Sequence, residues 1–334
     1  MDPLTQGALG AALAQAAPTK TKNIAIAGGL GFVAGMAADL DSLSTSSTDP
    51  LIFLEYHRHF THSLAFIPMG GLLCALVLYY AVGRRLQLTF FQALACCTLG
   101  YGTHALLDAS TSYGTMLLWP FSEDRISWSI VPIIDPVFTV PLVALCVAAA
   151  LKQKRAFAVA ALLWVGAYIS TGAIQHSAAL SKGAQIAESR GHEPIRLEAK
   201  PSFANLLVWK IIYETDDRFY VDAVRVGLAP KNFHGTSIPK LALPRDLPWL
   251  EPTTQQAIDV QRFMDFSNGF VAADPKMLNR VIDIRYSFVP NEIDPLWSID
   301  LSPEAGPSAH VIYRTHRENP RQSFSRLWQM LVSD

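Results

Sequence analysis

Apolar residues in this chain gather in long, nearly uncharged runs that stop near residue 178, after which short β-branched and aromatic runs take over. Five runs, at roughly 23–40, 63–82, 88–107, 132–151 and 156–176, have the length and character of membrane helices. The first and third are rich in small residues (Gly28, Gly29, Gly31, Gly35; Ala93, Ala95, Gly100, Gly102). Small side chains let helices approach closely in lipid, so a compact bundle is expected. The segment from Pro3 to Ala17 is apolar but short, and no basic residue precedes its apolar stretch. It reads as a retained short span or half-inserted helix rather than a cleaved leader.

Beyond the apolar half, the polar stretch at 179–200 reads as a connector. The runs 206–213 and 219–226, split by Glu214-Thr215-Asp216-Asp217-Arg218, predict a β-hairpin. Further strands are expected at 280–289 and 309–315, and helices at 253–267 and 322–332. The expected architecture is an α-helical membrane bundle of five to six transmembrane helices over 1–178, followed by a soluble α+β domain with an antiparallel sheet over 201–334. That domain contains no nucleophile elbow, phosphate loop or cysteine pair.

Composition agrees with a membrane protein: of 334 residues, 50% are hydrophobic and only 16% charged. A net charge of -1 gives no reason to expect nucleic acid as a partner. The four cysteines, Cys74, Cys96, Cys97 and Cys146, all lie inside apolar runs and read as buried free thiols. Charge placement sets the topology. Lys20, Lys22, Arg84, Arg85, Lys152, Lys154 and Arg155 fall on one side if the spans alternate strictly, and the positive-inside rule makes that side cytoplasmic. The extracytoplasmic side then receives the soluble domain and most of the acidic and imidazole residues that border the spans.

Those border residues form a chemically coherent set. His104 and Asp108 are four apart near a helix end, so they share a face and suit two ligands of one metal, or a ligand and its orienting carboxylate. A helix terminus with an imidazole on the dipole explains that pair equally well. Asp39 and Asp41, two apart, converge only if their helix ends there, as Ser42, Ser44, Ser46 and Ser47 suggest. The run His57-Arg58-His59-Phe60-Thr61-His62 is the most specific, since imidazole is the commonest ligand for first-row ions. Within it, Arg58 suits an anionic group such as a phosphate. Asp135, which opens the fourth span, calls for a partner, either the site or Arg125. His176 reads as interfacial, and His192, His234, His310 and His316 as surface residues.

Taken together, these motifs make the chain resemble the bacterial inner-membrane, metal-dependent hydrolase family of the YdjM type. The matching parts are the opening Met1-Asp2-Pro3-Leu4-Thr5-Gln6-Gly7, Asp39 with Asp41, His57-Arg58-His59-Phe60-Thr61-His62-Ser63, and His104 to Asp108 with Thr111, Tyr113 and Gly114. The resemblance spans about residues 1–140. It implies a metal shell of Asp39, Asp41, His57, His62, His104 and Asp108, with His59 ranked lower. Many relatives carry Thr-His where this chain has Thr5-Gln6, which puts the metal count and identity in question.

The expected function is a membrane-bound hydrolase. Divalent metal, zinc first and manganese or magnesium as alternatives, lowers the pKa of a water that attacks an ester or phosphoester, including a lipid-linked one. Asp39, Asp41 or Asp108 serves as general base, and Arg58 holds a phosphate oxygen. Membrane lipid is the expected partner, and the bacterial inner membrane the expected location. The competing readings are a metal-handling or transport protein and a structural metal clamp in an interaction protein. Transport needs polar residues deep in several spans, whereas these gather on one face.

Overall fold

The structure, a computed structural model, describes residues 1–18, 23–43, 46, 48–227, 229–317 and 320–332. Lys20, Lys22, Ser44 and Ser47 lie outside the described residues. Internal contacts divide the chain into two units. One comprises Met1–Ser44, Tyr56–Ile174 and Phe203–Asn205; the other comprises Thr45–Glu55, Gln175–Ser202 and Leu206–Asp334.

The first unit is helical. Its elements are α1 (Pro3–Ala16), α2 (Ile24–Met36), α4 (Ile67–Leu78), α5 (Phe90–Ala109), α6 (Pro136–Lys152) and the first part of α7 (Arg155–Ser189); the short α3 (Ile52–Tyr56), which precedes α4 in the chain, groups with the second unit up to Glu55. Local chemistry sets their starts. Asp2 caps α1, Asn23 caps α2, and Thr89 forms a reciprocal capping box with Gln92 at α5, each satisfying backbone N–H groups that the first helical turn leaves open. Helix α1 packs against α2, α5 and α6, while α4 packs on α5. The short N-terminal segment is therefore a helix inside the bundle, with most of its residues buried.

Among the described residues, three helical stretches are long and apolar enough to cross a membrane: Ile24–Leu43, Leu64–Gly83 and Arg155–Ser189. The first continues α2 through a 3-10 helix, Ala37–Leu43. Of the other two expected spans, α6 has 17 residues. Helix α5 is long enough, but it carries Gln92, Tyr101 and His104 among its apolar residues.

Glycines govern how closely α1, α2 and α5 approach. A Cβ on Gly10 would lie 2.4 Å from the Gly31 carbonyl oxygen, and one on Gly100 only 2.3 Å from that same atom. Real side chains never tolerate such contacts, so the small-residue pattern marks a backbone-to-backbone seam. Asp135 also finds its partner within this unit: the Tyr168 hydroxyl donates to it, while its other oxygen caps α6 at Val137. Neither the metal-type residues nor Arg125 fills that role.

The second unit is α+β. Strands β1 (Arg196–Pro201), β2 (Val208–Glu214), β3 (Arg218–Arg225) and β4 (Lys231–Pro239) form one antiparallel meander; β5 (Val271–Ala273), β6 (Arg280–Asp283), β7 (Trp297–Asp300) and β8 (Ile312–Thr315) form a second. The expected hairpin is β2–β3, with Glu214 opposite Phe219. Two sheets stand where one was expected. Helices α8 (Leu243–Asp246), α9 (Gln255–Phe266) and α10 (Pro320–Val332) complete the unit. The stretch 179–200, read as a connector, is the last turns of α7 followed by β1. Gly183 lets that helix close on Ile211 and Leu197, which gives an otherwise polar segment a packed face.

Residues 45–55, between the Asp41 and His57 motifs, group with this second unit. Arg262 of α9 holds the segment, donating to both Asp49 oxygens at 3.1 and 2.8 Å and also to Glu55 and Asp259. Asp259 is in turn bonded to His310 at 2.8 Å, so this histidine belongs to a network rather than to a free surface.

Candidate metal centre

Four elements of the helical unit bring the polar motifs together. Helix α2 ends at Met36, as convergence of the two aspartates requires, and the tighter 3-10 continuation carries Asp39 and Asp41. A short 3-10 turn, Phe60–His62, presents His62, and the last turns of α5 present His104 and Asp108. Between α3 and that turn lie His57 and Arg58, the latter at a left-handed φ of 61°. A bulky residue adopts that conformation only where its surroundings impose it. Here the Arg58 N–H donates to Asp41 at 3.1 Å and its carbonyl accepts from Met116 at 3.0 Å.

Asp39, His62, His104 and Asp108 form a tight group of candidate ligands. The two imidazole Nε2 atoms are 3.0 Å apart. His62 Nε2 is 3.4 Å from Asp39 Oδ1 and 3.3 Å from Asp108 Oδ2, and His104 Nε2 is 3.3 and 3.5 Å from the same two atoms. A shell with metal–ligand bonds of about 2.0–2.1 Å has ligand–ligand edges of about 2.9 Å when octahedral and about 3.4 Å when tetrahedral. The observed separations, 3.0 to 3.5 Å, are close to these edges.

Tautomers point the same way. His104 Nδ1 donates to the Gly35 carbonyl at 2.6 Å, and His62 Nδ1 lies 3.1 Å from Asp41 Oδ2. With Nδ1 occupied on both rings, two Nε2 lone pairs face one another, an arrangement that a shared cation resolves. Asp108 Oδ2, fully buried, accepts no hydrogen bond. Burial opposes a charge on His62, but the nearby carboxylates of Asp108, Asp39 and Asp41 outweigh it and hold the imidazole pKa up at about 10. The pocket is thus set to stabilise positive charge, and its donors fit a divalent ion.

Asp41 and His57 join Asp39 in a second, overlapping group. His57 Nδ1 is 2.8 Å from Asp41 Oδ1, while Thr61 Oγ1 donates to Asp41 Oδ2 at 2.8 Å. Arg58 turns inward. Its guanidinium pairs with Asp108 at 3.1 Å, donates to Thr111 Oγ1 at 2.9 Å and lies 4.8 Å from the centre of the Tyr113 ring. Thr111 and Tyr113 of the fourth motif are therefore the seat of Arg58. His59 packs among Tyr56, Phe60 and Trp119, outside both groups.

One residue reached the centre without being counted among its ligands. Gln6 of α1 is fully buried and donates through Nε2 to Asp108 Oδ1 at 2.8 Å, while its Oε1 has no hydrogen-bond partner. Its position in the opening motif was the available signal. The Met1 amino group also donates to Asp108. The Gly35 carbonyl left no trace in the sequence, because any residue supplies one.

The family model described as YdjM inner membrane protein matches residues 1–179, which carry every residue of this centre. No curated protein and no solved structure matches the chain.

Proposed function

The chain belongs to the YdjM inner membrane protein family, and on that premise we propose that it is a membrane-bound, divalent-metal-dependent hydrolase of esters or phosphoesters, including lipid-linked ones. The observation that carries this reading is the convergence of Asp39, His62, His104 and Asp108 from three separate motifs on one buried point. A divalent ion there, zinc first with manganese or magnesium as alternatives, supplies Lewis acidity and makes water a stronger acid near neutral pH.

The chain's own groups divide the remaining work. Asp108 is sealed by Arg58, Gln6 and the two imidazoles, which suits a fixed ligand and not a proton carrier. Asp39 is 20% exposed against 0% for Asp108, so it is the ligand carboxylate that water and substrate reach. Arg58 serves as a positioning residue for Asp108. Membrane lipid is the expected surrounding of the unit, and the pattern of basic loops supports an extracytoplasmic centre.

Four protein donors also complete a tetrahedral shell by themselves, which is the arrangement of a structural clamp. Catalysis separates the two readings. Full-length protein in detergent, stripped with chelator and reloaded, is assayed on ester and phosphoester panels in mixed micelles. Hydrolysis is expected to vanish on stripping, return with metal and fall about 100-fold or more in Asp39→Asn. Metal binding with no hydrolysis across the panel supports the clamp instead.

A further inference from the structure

We infer that the centre is built for two divalent ions that share Asp39, the first held by Asp39, His62, His104 and Asp108, the second by Asp39, Asp41 and His57. This rests on the metal reading above and goes beyond it, because a clamp needs only the first set. Asp39 is common to two groups whose candidate ligand atoms each lie within 4.8 Å of one another. Carboxylates bridge ions readily because each oxygen can serve a different one.

The two sets differ in the way their tasks would require. In the first, both imidazoles and Asp108 have at most 1% of their side-chain surface exposed. In the second, Asp41 retains 7% and His57 14%. The first has four protein donors and the second three, so only the second leaves a coordination position that is certain to be open to water. Asp41 fits both roles at once. Its Oδ2 faces His62 Nδ1 and thereby orients a ligand of the first ion. Its Oδ1 faces His57 Nδ1 at 2.8 Å, a contact that a shared cation would replace.

Manganese titration of the stripped full-length chain in detergent tests this, followed by equilibrium metal analysis and electron paramagnetic resonance. Two ions per chain and a spin-coupled pair signal are expected. His57→Ala is the chosen variant because His57 is the most exposed donor of the second set apart from Asp39, and circular dichroism checks its fold. It is expected to bind one ion per chain and to show only an uncoupled manganese spectrum. One ion in the wild type, or two coupled ions in His57→Ala, overturns the shared two-ion assignment while leaving the buried site standing. No bound manganese in the wild type overturns both.

Discussion

Replacing Asp108 by leucine is expected to destabilise the helical unit by about 3–5 kcal/mol, because it strands a buried charge. Arg58 is 4% exposed and Asp108 is its carboxylate partner, at 3.1 Å. Leucine also removes the acceptor of the Gln6 side chain and one metal donor. The bonds from Arg58 to Thr111 Oγ1 and to the Asp108 carbonyl survive, which keeps the loss below that of an unpartnered guanidinium. Asp108→Asn preserves shape and an oxygen for Gln6, so its effect should be smaller. Thermal unfolding in matched micelles reads both variants. Zinc or manganese should raise the wild-type midpoint and raise that of Asp108→Leu less. Two variants as stable as the wild type would show that Asp108 does not hold Arg58.

Gly100→Ala should cost about 1–3 kcal/mol by overpacking, although it adds one methyl group far from any charge. The new Cβ would sit 2.3 Å from the Gly31 oxygen and 2.7 Å from its Cα, and backbone cannot rotate away as a side chain can. Helix α5 must shift instead. His104 lies one turn further along the same face of that helix, so metal affinity is expected to fall in parallel with stability. Gly29→Ala is the internal control. It lies on α2 with nothing within 4 Å of the added atom, and should be neutral or slightly stabilising. Equal melting temperatures for Gly100→Ala and Gly29→Ala would contradict the glycine seam.

The helical half was legible because its signals are local. Glycine-rich runs marked the α2 and α5 sides of the seam, and the i,i+4 spacing of His104 and Asp108 placed both on one helix face. The D-x-D, the histidine run and the His104–Asp108 pair between them named all the members of both donor groups. Their partition was not readable, since it depends on a 3-10 continuation after Met36 and on the Gly35 carbonyl. Inward-facing Arg58 was hidden for a similar reason: its partners Asp108 and Thr111 lie fifty or more residues away in the chain.

The α+β half was less transparent. Long strands β2 and β3 announced themselves through β-branched and aromatic runs, whereas β5 and β7 have three and four residues and too little pattern to stand out. The stretch 280–289 mixes a four-residue strand with irregular chain, so its apolar content overstated its length. Residues 179–189 looked like linker because their buried face is small, made of Ala179, Gly183, Ile186 and Ala187, and only the sheet opposite reveals it.

Metal analysis of the full-length chain and of its His62→Ala/His104→Ala double variant, purified side by side in detergent and equilibrated with zinc or manganese, goes straight to the buried centre. Both imidazoles leave the four-donor group in that variant, while Asp39, Asp41 and His57 stay in place. The wild type is expected to retain tightly bound metal through gel filtration, and the folded double variant to lose the buried ion. Equal metal content in the two proteins, or none in the wild type, would contradict it.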